Sequence, residues 1–173
     1  MSGARTPAAT SVAALYGIAY RIETDAAERY AMLVDQMQTH NNVELARIFG
    51  DLERAERIHA DRIRELAGAL GTDDGAGPIG PWKAESPESA DLYASSYDMS
   101  AHDAVQMALA AEERALAFYT ELADSNVDQA VRGLAAAFAD EESEHVALCR
   151  RLLNRYPPVP AGRPVDPDPP GDR

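Results

Sequence analysis

Apolar residues recur along this chain at three- and four-residue steps, the period of an α-helix with one buried face. Ile18, Ile22, Ala26, Leu33 and Met37 mark such a stripe, and the spacing predicts a helix from about Ser11 to Gln38. Leu45, Ile48, Leu52, Ile63 and Leu66 mark a second, from about Asn42 to Leu70, with Gly68 and Gly71 at its end. A third begins at Ser100, a good N-cap with Asp103 three residues on, and reaches about Ala123. The fourth spans about Asp128 to Arg155 and stops before "YPPVP", where proline forbids continuation.

The connections differ in length. Helices one and two, and helices three and four, are separated by only a few residues, so each pair is expected to be an antiparallel hairpin. Between the pairs runs "GTDDGAGPIGPWKAESPESADLYASSYDM", in which "SPESADLY" suggests a short extra turn. Two hairpins joined by one long crossover predict an all-α, ferritin-like four-helix bundle over residues 11–156. A flexible N-terminus is expected over 1–10 and an extended or disordered proline-rich tail over 157–173.

Composition supports this picture. The 173 residues suit one domain with a sizeable core, and 46% are hydrophobic, with few β-branched side chains. A net charge of -13 argues against nucleic acid or an anionic membrane as partner. One cysteine, Cys149, excludes a disulfide framework and a tetrathiolate metal site within the chain. No apolar run approaches the roughly 18 residues of a spanning helix, and the first residues lack a leader's apolar core. A cytoplasmic location is therefore expected.

The chemistry lies in an internal repeat. "IETDAAERY" contains Glu23, Ala26 and Tyr30, while "AEERALAFY" contains Glu112, Ala115 and Tyr119 at the same offsets. Those offsets turn through about 300° and 700°, so each trio lies on one stripe of its helix. "ERAERIH" and "DEESEH" hold the second repeat, Glu56 with His59 and Glu142 with His145. A single Glu-x-x-His on a charged helix says little. Two of them, each following a Glu-Ala-Tyr stripe, point to one dinuclear metal site at the bundle centre. Four inward carboxylates would repel each other strongly, whereas two divalent cations would neutralise them and two imidazoles would complete the ligands. Such oxygen-rich ligation suits iron or manganese better than structural zinc.

Tyr30 and Tyr119 read first as core residues and, if functional, as hydrogen-bond donors to the ligand carboxylates. Glu113, Glu141 and Glu144 point away from the stripes and read as surface charges, with Glu53 near the edge of the site. His40 and His102 read as solvated or capping residues, and Cys149 as a buried apolar one.

These motifs resemble the ferritin-like di-iron carboxylate superfamily, and within it a rubrerythrin-like protein without a rubredoxin domain. The resemblance implies that Glu23, Glu56, His59, Glu112, Glu142 and His145 ligate two iron ions cycling between Fe2+ and Fe3+, with manganese or mixed metals as alternatives. It implies oxidation of Fe(II) by O2 or hydrogen peroxide, in iron homeostasis or oxidative-stress defence. A separate electron-donor protein would serve turnover, and a homodimer is expected. A di-iron hydroxylase of an organic substrate and a non-catalytic iron-binding protein are the alternatives. Two departures stand out. Rubrerythrins proper carry a further ligand glutamate where this chain has Ala115, and their rubredoxin domain needs cysteines absent here.

Overall fold

The computed structural model describes residues 9, 11–71, 99–125 and 128–158. They contain four helices: α1 (Val12–Thr39), α2 (Val43–Ala69), α3 (Ala101–Ser125) and α4 (Gln129–Arg155). Each has 25 to 28 residues, a length of about 40 Å at the α-helical rise. The expectations for residues 1–10, for a turn in "SPESADLY" and for the tail fall outside the described residues, apart from Ala9, Pro157 and Pro158.

The starts are set by side chains that satisfy otherwise orphaned N–H groups. Ser11 accepts from Ala14 N, Asn42 from Leu45 N, and Asp128 from both Ala130 N and Val131 N. At α3 the capping is reciprocal: Asp103 N donates to Ser100 Oγ and Ser100 N donates to Asp103 Oδ2. At the far end of α2, Gly71 takes φ +68°, a left-handed conformation that glycine adopts without strain.

α1 packs closely on α2, and α3 on α4; α1 approaches α4, and α2 approaches α3, at fewer positions. Two apolar clusters fix the directions. One joins Leu33 and Met37 late in α1, Leu45 and Phe49 early in α2, Ala104 and Val105 early in α3, and Cys149 late in α4. The other joins Leu15 and Ile18, Ile63 and Ala67, Phe118 and Leu122, and Val131 and Ala135. The start of α1 therefore meets the ends of α2 and α3 and the start of α4. α2 ends and α3 begins at opposite ends of the bundle, so the two run parallel, as a long crossover requires. This is the ferritin-like architecture.

One core expectation shifts. Leu66 is 40% exposed rather than buried, because it lies at the edge of the stripe whose centre Ile63 and Ala67 occupy.

Candidate metal centre

Between the two apolar clusters lies a polar layer, to which each helix contributes at mid-length. Glu23 of α1, Glu56 of α2, Glu112 of α3 and Glu142 of α4 are all at most 2% exposed. No other charged side chain among the described residues is buried to that degree. Each lies on its helix's apolar stripe, so folding that face inward carries the carboxylate into the core.

The histidines sit at the edge of this layer, with side-chain exposures of 21% for His59 and 13% for His145. Their rings lie 4.6 Å apart, tilted by 30°. His145 Nδ1 is 3.2 Å from Glu112 Oε2, 3.6 Å from Glu142 Oε2 and 3.7 Å from Glu56 Oε1. His59 Nδ1 is 3.9 Å from Glu23 Oε2. All six residues singled out by the repeat thus meet in one place. Two groups have ligand atoms within 4.8 Å of one another: Glu56, His59 and His145; and Glu112, Glu142 and His145. The halves are not equivalent, since His145 belongs to both groups and supplies the counter-charge for three carboxylates.

The electrostatics carry the same asymmetry. Burial, then repulsion from Glu142 and Glu56, holds the Glu23 carboxyl well above its ordinary range. Burial and Glu112 raise Glu56 to about 7, against the hydrogen bond with Glu23 and the pull of His145. Burial alone would lower His145, yet the hydrogen bond to Glu112 and the charges of Glu56, Glu112 and Glu142 bring it up to about 9. His59 moves the other way, lowered by burial and by His145. A buried carboxylate normally finds donors, but Glu56 and Glu23 Oε2 meet none except each other, one acid facing another. Lone pairs aimed at one another from four helices suit a cation, and four carboxylates with two imidazoles suit a pair of hard-to-borderline divalent ions.

Both tyrosines are buried. Tyr30 Oη donates to Glu112 Oε1 at 3.1 Å, linking the first hairpin to the second, while its ring stacks on Phe49. Tyr119 is fully buried, its ring against Phe118 and Phe138. Ala26 and Ala115, beside the α1 and α3 carboxylates, are likewise buried.

Among the remaining candidates, Glu53 is held by Arg57 at 2.8 Å and stays outside both groups. Glu113 pairs with Arg150 at 2.9 Å. His102 presents Nδ1 to the Tyr156 carbonyl at 2.8 Å, capping the end of α4 rather than its own helix. Cys149 is buried in the core, its thiol raised to about 12 by burial and then by Glu112 and Glu56, which leaves it a neutral apolar group. Sequence reasoning passed over Arg62 and read Glu141 as a surface charge, whereas the two form a 2.8 Å ion pair whose charges act on His59. Their signal was available: Arg62 lies one turn beyond His59, and Glu141 one turn before His145.

No helix among the described residues is long and apolar enough to cross a membrane. No curated protein matches the chain. The structure is similar to the crystal structure of an uncharacterized conserved protein from Magnetospirillum magnetotacticum MS-1, with a TM-score of 0.67 and 31% identity. That likeness covers 86% of this chain and 97% of the other. A family model described as Rubrerythrin matches residues 16–153, a span that takes in both hairpins and all six residues of the polar layer. The chain belongs to the rubrerythrin family.

Proposed function

We propose that the polar layer holds two iron ions and that the protein oxidises Fe(II) with O2 or hydrogen peroxide. The observation that carries the reading is the convergence of four buried carboxylates and two imidazoles, with Glu56 meeting no donor but the facing acid Glu23. Glu23, Glu56, His59, Glu112, Glu142 and His145 would hold the ions. Two bound iron ions supply two electrons, which with two protons reduce hydrogen peroxide to two waters.

The chain's own groups prepare the site for this. Tyr30 fixes one Glu112 oxygen through its hydroxyl and leaves the other toward His145. Glu56, raised to about 7, and His145, raised to about 9, hold protons near neutral pH when cations leave, so loading releases protons. The apolar clusters above and below keep water from the layer along the bundle axis.

Anaerobic titration with Fe(II) should show two ions bound per chain. Addition of peroxide or O2 should then give oxidant loss that continues as Fe(II) or reductant is resupplied. A single stoichiometric event followed by silence would leave an iron-binding protein without turnover. Oxygen release from peroxide by the manganese-loaded chain would replace the reading with a catalase-like one.

A further inference from the structure

The polar layer is closed on most sides. The α1 and α3 groups there, Glu23, Tyr30 and Glu112, are at most 2% exposed. Only the histidines, on α2 and α4, reach the surface. These two helices are also held well apart: among the described residues, no Cα of α2 lies within 8 Å of one in α4. Side chains alone fill that seam, first the two neighbouring imidazoles and then, one turn along, the ion pair of Arg62 and Glu141 at 2.8 Å. Arg62 is largely exposed and Glu141 about one-third exposed. Both charges act on His59 with opposite signs, Glu141 raising it and Arg62 lowering it. Beneath the imidazoles lies Glu56, fully buried and meeting no donor but the facing acid Glu23.

We propose that the α2–α4 seam is the path by which divalent cations enter and leave the centre, and that the Arg62–Glu141 ion pair gates it. Glu141 offers an approaching cation its first carboxylate, and His59 and Glu56 lie inward of it. Arg62 occupies that carboxylate and places a positive charge at the mouth. The pair acts on the cation in transit, so it sets the rates in both directions and leaves the number of ions bound unchanged.

This inference rests on the centre binding metal, and the two can be tested apart. The probe is Co2+, followed by its visible absorbance as it enters the full-length, chelator-stripped chain and as a chelator removes it. Arg62→Ala should speed both processes about two- to fivefold at low salt, the effect of one unit charge near a divalent ion, and the gain should shrink as salt screens it. Glu141→Gln should slow both by a similar factor. Arg150→Ala, which breaks the comparable Glu113 ion pair between α3 and α4, should match the wild type. A purely structural role for the pair would move Arg62→Ala and Glu141→Gln in the same direction and overturn the gate. Equal rates in all variants, or an equal acceleration by Arg150→Ala, would overturn it too. A wild-type chain that takes up no Co2+ would remove the metal centre itself, and the gate with it.

Discussion

Replacing Glu56 by Gln should make the metal-free protein more stable while weakening its hold on metal. The carboxyl is fully buried, and its value rises from 4.5 to about 7, driven by burial and Glu112. A carboxyl raised in this way holds its proton more tightly in the fold than in the unfolded chain. Its contribution is therefore full below pH 4.5 and is lost as pH rises through 7. The rise corresponds to about 3 kcal/mol. His145, raised to about 9, adds a second loss between pH 6.5 and 9. His59, held low, works in the opposite sense and is worth least at acid pH. Glutamine keeps the size and cannot ionise, and its unbonded amide costs about what the protonated acid already does. At pH 8 with chelator present, Glu56→Gln should unfold later by about 3 kcal/mol, or about 6–12 °C for a domain of this size. Near pH 4.5 the two proteins should converge. Addition of Mn2+ should reverse the order, because only the wild type has the full ligand set and binding stabilises the fold that binds. Urea melts across pH 4.5–9, with and without Mn2+, would decide it. A wild-type stability that holds level or rises from pH 4.5 to 7, or a Gln variant that keeps the whole wild-type slope, would refute the argument.

The two histidines should not be interchangeable. His145→Ala should cost more metal affinity than His59→Ala in a competition assay, with both variants still helical by circular dichroism, because His145 belongs to both ligand groups. Tyr30→Phe keeps the ring on Phe49 but removes the 3.1 Å bond to Glu112. It should lower stability by about 1–3 kcal/mol and leave the number of ions bound, read by elemental analysis, unchanged.

Much of this was legible before any coordinates, because helices obey local rules. Ser11, Asn42, Ser100 and Asp128 stand at the four starts, and each is a side chain able to accept from the first turn. The repeat of Glu-Ala-Tyr and Glu-x-x-His fixed which carboxylates and imidazoles share a face, since angle around a helix follows from spacing alone. What spacing could not reach was the relation between faces. It treated the two halves as equal, whereas His145 is drawn among three carboxylates and rises while His59 falls. It likewise set Glu141 aside as a surface charge. That was correct for its own helix, but blind to the arginine that α2 brings across the seam.

The same cross-helix relations indicate what the centre does for the fold. Each hairpin carries one Glu and one Glu-x-x-His, yet the observed bonds ignore that division: Tyr30 of the first donates to Glu112 of the second, and His145 of the second leans on Glu56 of the first. Close backbone packing lies within the hairpins, and between them it is sparse. The hairpins are held to each other by two apolar end clusters and, at mid-length, by a layer of carboxylates that repel one another. Because most of each cluster lies away from the polar layer, the bundle should stay folded when a single ligand is changed. Cations bound in the layer should act as a staple, turning a repulsive zone between the hairpins into an attractive one.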